Sequence, residues 1–271
     1  MLKISIGTLA LALASLSLAW DRKIIAYYPE YSPSAFNYPV SQVPGNRLDV
    51  LNYFYIGDGG SGHTDPLDLN GNLHVSITNS ASQLVALKQS YPHLKVMLSI
   101  REDADWVTIA SDSSKLANFV SQLQTLFAAS TAYDGLDIDW EVQDLFGNKA
   151  HLASLLQAVR TMMNSQSVIL GRPLYLSVAV IAGAPLYNPE SYDFNSLDTN
   201  CDWLNVMTYD FHTKGADLNQ VPHPPTWHAA ALNSTTGETV WNVSNQMNRW
   251  LVRMRVNNSS YPKKKLMMGV P

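Results

Sequence analysis

The chain is poor in cysteine and in charge. Its single cysteine, Cys201, excludes an intramolecular disulfide and a cysteine metal cluster. Charged residues make up 15% of the 271, with 18 Lys and Arg against 22 Asp and Glu. The net charge of −4 leaves no basic surface for nucleic acid or for an anionic membrane. Gly and Pro, 14 each, are too few for a collagen-like or low-complexity chain, and 46% hydrophobic residues exclude disorder. No G-x-G-x-x-G or G-x-x-x-x-G-K follows a strand pattern, which weakens the case for a nucleotide-binding fold. The 7 histidines show no two-His helical spacing, so neither a metal nor a cofactor is expected. His212, His223 and His228 read as loop residues at the surface or in a substrate groove. What is plentiful is aromatic: 7 Trp, 13 Tyr and 7 Phe suit a neutral, flat-faced ligand better than a charged one.

One long apolar run stands out. Lys3 precedes Ile4 to Ala19, broken only by Ser, Thr and Gly, and Ser17 and Ala19 are small residues ahead of Trp20. A basic start, a short apolar stretch and a small-x-small site read as a secretory signal peptide over residues 1–19. The run is short of the roughly 20 residues that span a bilayer, and no later segment could do so. The expected product is a secreted, extracellular chain with one domain over 20–271, acting as a monomer and free of the membrane after cleavage. Asn233, Asn242, Asn257 and Asn258 each begin an N-x-Ser/Thr sequon and would be glycan acceptors in a eukaryotic secreted chain.

Beyond the leader, β-branched and aromatic runs alternate with amphipathic patterns. Strands are expected at 23–28, 48–56, 95–100, 136–140, 174–180, 203–209 and 265–270. Helices are expected at 82–90, 115–128, 151–163 and 241–256, each with an apolar stripe facing a core. The strands are nearly continuous apolar runs, as when both faces of a parallel sheet are covered. The loop 57–72, rich in Gly and Asp, reads as an insertion after the second strand. This order fits an α/β chain forming a (β/α)8 TIM barrel that is incomplete at its C-terminus, with seven strands present.

Residues 134–141 read Asp-Gly-Leu-Asp-Ile-Asp-Trp-Glu. On a strand, alternate residues share a face, so Asp137, Asp139 and Glu141 point one way while Leu136, Ile138 and Trp140 point the other. Three carboxylates about 6.6–7 Å apart along one strand cannot all ionise comfortably away from water. One is expected to hold its proton toward neutral pH, which is how a carboxylic acid can donate to a leaving group. A solvated edge-strand stripe would need polar residues on the other face, and these are apolar. A calcium loop starting at Asp137 would need Gly at its sixth position and Glu at its twelfth, where Val142 and Asn148 stand.

The octet matches at every specified position the D-x-x-D-x-D-x-E signature of glycoside hydrolase family 18, the chitinase family, which this chain therefore resembles. Further landmarks follow in order. Ile25-Ala26-Tyr27-Tyr28 resembles the first strand of that family, Leu51-Asn52-Tyr53-Phe54-Tyr55 the second and Lys95 to Ile100 the third. Tyr175-Leu176-Ser177-Val178-Ala179 resembles the fifth, Met207-Thr208-Tyr209-Asp210 the sixth and Lys265 to Pro271 the seventh.

The resemblance implies a substrate-assisted, retaining cleavage of β-1,4 bonds between N-acetylglucosamine units in chitin or its oligosaccharides. Glu141 would be the general acid and then base. Asp139 would orient the substrate acetamido group, Asp137 would share a proton with Asp139, and Tyr209 would donate to the acetamido oxygen. Asp210 and Met207 would line the same subsite, Tyr27 and Ser99 would support the acidic cluster, and Asp134 reads as structural. Two alternatives carry the same motif: an endo-β-N-acetylglucosaminidase acting on N-glycan cores, and a chitin-binding lectin without catalysis, which the presence of Glu141 argues against. The sequence departs from the family in two places. Its third strand ends Ser99-Ile100-Arg101-Glu102 where the family runs through Ser-x-Gly into Gly. The family's eighth strand, with its sugar-stacking tryptophan, does not follow the seventh here, so a barrel with two open edges is expected.

Overall fold

The computed structural model describes residues 23–56, 66–74, 80–101, 103–142, 144–182, 191–209 and 243–270. The proposed leader, the sequons at Asn233 and Asn242, Asp210, the three loop histidines, and residues 57–65 of the expected insertion lie outside them.

Seven strands form one sheet: β1 (Ile25–Pro29), β2 (Val50–Ile56), β3 (Lys95–Arg101), β4 (Gly135–Asp139), β5 (Tyr175–Ile181), β6 (Trp203–Met207) and β7 (Leu266–Met268). Every pairing is parallel and joins neighbours in chain order. Helices α1 (Ser32–Phe36), α2 (Ser80–Ser90), α3 (Asp103–Ala110), α4 (Ser113–Ala129), α5 (Leu145–Leu170), α6 (Phe194–Asn200) and α7 (Val243–Asn257) lie along the chain between them. This is the expected TIM-barrel architecture with β1 and β7 as its two edges. A groove of about 480 Å³ lies along those edges, lined by residues of both strands and by Tyr27, Asn205 and Tyr209.

The helices form where the sequence supplies a cap and an apolar stripe. Asp112 accepts hydrogen bonds from the Ser114 and Lys115 amides at 2.8 and 3.2 Å and starts α4, whose Phe119, Leu123, Leu126 and Phe127 are buried. Each such side chain contributes about 1.5–3 kcal/mol by leaving water. α5 runs longer than its apolar stripe indicated and stops at Gly171, whose φ of 63° is the left-handed conformation that a side chain resists. The short helices α1, α3 and α6 span less than three turns and gave no apolar periodicity to read.

Alternation along the strands sorts the sheet into an outer and an inner face. Leu136, Ile138 and Trp140 are fully buried against the helices, in one large apolar cluster. On the inner face, Val50, Met97 and Trp203 pack with Ile25, Tyr175 and Met267 into a separate apolar floor. Gly135 completes this layer: a Cβ there would lie 1.9 Å from the Tyr175 carbonyl oxygen and 2.8 Å from Met97 Cε, so the strands approach this closely only over glycine. Beneath the floor, Asp134 accepts from Lys88 Nζ at 2.8 Å and from the Val96 amide at 3.0 Å, with Arg172 Nη1 3.7 Å away. That clamp is the kind of contact a structural role for Asp134 calls for.

Candidate active site

Two residues further along each of the first six strands, the inner face turns polar. Tyr27, Asn52, Ser99, Asp137, Ser177 and Asn205 each follow a floor residue by two positions, which the pleat places on the same side. They converge on one carboxylate. Asp137 Oδ2 accepts from Tyr27 Oη at 3.0 Å, Ser99 Oγ at 2.8 Å and Asn52 Nδ2 at 3.2 Å. Its Oδ1 accepts from Ser177 Oγ at 2.5 Å and Asn205 Nδ2 at 3.0 Å. Five donors from five strands thus meet on one buried group, which is possible only because the sheet curls into a barrel.

Two effects compete at Asp137. Complete burial penalises its charge and pushes its pKa above the ordinary 3.8, while the donors from Ser177, Ser99, Tyr27 and Asn205 pull the other way; burial prevails. The raised carboxyl expected from the motif is therefore found, at its most buried member. Tyr27 is 39% exposed along the open edge of β1, yet its hydroxyl reaches inward and also accepts from Asn205 Nδ2 at 3.0 Å. Burial, and then the nearby Asp137 and Asp139 carboxylates, raise the Tyr27 phenol well above its usual value. It donates in this network and does not ionise.

Above this layer the site opens. Asp139 is the last residue of β4 and only 6% exposed. Glu141 does not continue the strand, because pairing with both β3 and β5 ends at Asp139. It stands in the short connection to α5, between buried Trp140 and Val142 in the chain, with its side chain 28% exposed. The three carboxylates thus climb from the interior to the mouth at the C-terminal end of the sheet, where barrels of this kind carry their chemistry. At that mouth Arg101, the last residue of β3, places Nε 3.3 Å from Glu141 Oε1.

Met207 ends β6, and Tyr209 follows it at the groove beside β7. The Tyr209 ring packs over Gly269: a Cβ on that glycine would lie 2.7 Å from Tyr209 Cε1 and 2.7 Å from the Val206 carbonyl oxygen. Thr208 Oγ1 donates to the Gly269 carbonyl at 2.7 Å and the Gly269 amide to Val206 O at 2.9 Å, so this corner is fixed by its backbone. The aromatics Tyr55 and Trp106 are buried in the core, where Trp106 meets Phe119 edge-on.

Asn52, Ser177 and Asn205 were not singled out in the sequence. Their signal is a polar residue within an apolar strand, two places after a floor residue. Among the described residues, no three of His, Cys, Asp and Glu are grouped so as to hold a metal ion. No helix there is long and apolar enough to cross a membrane.

The architecture and the acidic ladder at its mouth have recognisable relatives. Residues 23–271 match the description "Glycosyl hydrolases family 18", and the chain belongs to that family. It is similar to Endochitinase 1 of Metarhizium robertsii, 22% identical over 260 residues, covering 90% of this chain and 59% of the relative. Chitinase B of Serratia marcescens is 26% identical over 292 residues, covering 90% of this chain and 54% of that protein. The chain thus spans a little over half the length of these two relatives. Among solved structures, a GH18 chitinase from Cycas revoluta in complex with (GlcNAc)3 superposes with a TM-score of 0.72 at 21% identity, covering 92% of this chain and 68% of that one.

Proposed function

We propose that this chain is a chitinase-type glycosidase that cuts β-1,4 bonds between N-acetylglucosamine units and retains the configuration at the anomeric carbon. The observation that carries this reading is the ladder of Asp137, Asp139 and Glu141 rising to the mouth, its base fixed by five donors. Relatives named as chitinases, and a structural neighbour solved with (GlcNAc)3, support the choice of substrate.

The roles follow from position along that ladder. Glu141, at the mouth, gives its proton to the glycosidic oxygen as the bond to C1 breaks. The carbonyl oxygen of the substrate's own acetamido group bonds to C1 and closes an oxazolinium ion. Asp139 accepts the acetamido N–H and stabilises the developing positive charge, while Tyr209 donates to the acetamido oxygen. The Glu141 carboxylate then takes a proton from water, whose oxygen opens the ring at C1 and leaves the β-anomer. Asp137, with Tyr27 and Ser99 among its donors, positions Asp139 and shares a proton with it. Met207 and Asp210 line the same subsite. We place the protein outside the cell as a monomer, exported by residues 1–19 and glycosylated in a eukaryotic host.

The test is hydrolysis of a chitin oligosaccharide followed by NMR, for the chain from Trp20 and for its Glu141→Gln variant. Initial release of β-anomer by the parent alone is expected. Initial α-anomer, or equal rates from both proteins, would overturn the assignment.

A further inference from the structure

Arg101 has no counterpart in the family pattern, which has small residues at the end of this strand. It shares the inner face with Ser99 two positions earlier, and it is the register partner of Asp139. Its Nε lies 3.3 Å from Glu141 Oε1, with side-chain exposures of 38% and 28%, so the pair is wet on one side and packed on the other. The geometry points to Arg101 as a latch on Glu141: a positioning residue that holds the carboxylate ionised and turned toward β3, and that an incoming ligand must displace.

The argument rests on what each group can do. A guanidinium has five donors, no acceptor, and keeps its charge at any working pH. It can therefore bond to the ionised carboxylate but offers no acceptor to a protonated carboxyl. The Arg101–Glu141 contact is charge-assisted only with the ionised form of Glu141, so it opposes the form that has a proton to give. Tyr27 on β1, Asp137 and Asp139 on β4 and Tyr209 after β6 are acids of this cluster. Arg101 lies within ion-pair distance of Glu141 and favours its ionised form. A donor to Oε1 also occupies the side of the carboxyl facing β3, and a glycosidic oxygen approaching there competes with it. The latch sets both the pH at which Glu141 regains its proton and the concentration of ligand that opens the pair.

This inference rests on the glycosidase reading for its meaning, but its first test does not need turnover. In protein labelled with 13C at the glutamate carboxyl, the Glu141 signal is assigned by its loss in Glu141→Gln and followed against pH. Its midpoint is expected at higher pH in Arg101→Gln than in wild type, and near the wild-type position in Arg101→Lys. Arg101→Gly, the family's own residue type, should move it like Arg101→Gln and guards against a misplaced glutamine. If the midpoint is unchanged in both neutral variants, the latch is wrong, whether or not any protein hydrolyses chitin. With active protein, the alkaline limb of kcat/KM should shift upward, and KM for a chitin oligosaccharide should fall about threefold or more in Arg101→Gln. A rise in KM with an unmoved limb would make Arg101 a ligand contact and overturn the latch. Silence of every protein toward substrate, with the midpoint shifted, would sink the glycosidase reading and leave the pair intact.

Discussion

Ser177 Oγ donates to Asp137 Oδ1 at 2.5 Å, between neighbouring strands and out of reach of water. It is one of five donors whose only shared purpose is this carboxylate, so the group holds the barrel interior together as well as serving the site. Asp137→Ala leaves several buried donors unsatisfied and should cost about 3 kcal/mol or more of stability. Urea unfolding of the two proteins reads this directly. A loss under about 1 kcal/mol would mean that the interior readily admits water to replace the carboxylate.

Asp137 also sets a sign for the dependence of stability on pH. Because burial raises its pKa in the folded chain above the ordinary 3.8, the native state binds more protons than the unfolded one between the two values. Its contribution is complete below the unfolded value and is lost as pH rises through the folded one. The unfolding free energy of wild type minus that of Asp137→Asn should therefore decrease as pH is raised from about 3.5 to 7. Taking the difference removes the other carboxylates, and an increase would show that the donors outweigh burial.

Gly269 is expected to matter through Tyr209. In Gly269→Ala the new methyl group meets the Tyr209 ring and the Val206 carbonyl at 2.7 Å, so the ring must move. Displacing a group in the site by about an ångström lowers kcat on the order of tenfold or more. Tyr209→Phe should lower it too, and the double variant should be little worse than Tyr209→Phe alone. Fully additive effects would show that Gly269 acts elsewhere.

Asp134 should separate stability from chemistry. Asp134→Ala leaves Lys88 and Arg172 without their carboxylate beneath the floor, a loss of about 3 kcal/mol. In the fraction that stays folded, KM for a chitin oligosaccharide should match wild type. A changed KM would tie this clamp to the mouth.

Of the two overlapping sequons at the end of α7, we expect a glycan on Asn257. Its side chain is exposed. Asn258 Nδ2, the atom a glycan would need, donates to Asp198 Oδ2 at 2.8 Å, and its Oδ1 accepts from the Ser260 amide at 3.0 Å. Peptide mapping of protein secreted from a eukaryotic host would locate the sugar, and occupancy of Asn258 instead would contradict this.

Strand order and the acidic octet were legible because each is local, a run, a spacing or a short motif, whereas Tyr27 and Ser99 were reached only through the family resemblance. Asn52, Ser177 and Asn205 were not, although each interrupts an apolar strand. Which polar residues meet at one carboxylate depends on register and curl, and in this chain Tyr27 and Asn205 touch across 178 residues. Reading the strands as nearly continuous apolar runs hid these three members of the polar layer. The alternation argument was carried through to Glu141, one residue past the expected strand 136–140; the strand stops at Asp139 because its pairing does. The unusual end of β3 was visible in the sequence, but its engagement of Glu141 was not, since nothing local says which anion an arginine will choose.

The sheet's pairing order follows the chain, each strand lying beside the one made just before it. During synthesis, each of β2 to β7 finds a neighbour already in place. The hydrogen bonds around Asp137 follow a different schedule. Asn52 and Ser99 precede it, Ser177 comes 40 residues later and Asn205 comes 68 residues later. A nascent chain therefore gains its strands one at a time and completes the hydrogen bonds on Asp137 only once β6 has been made.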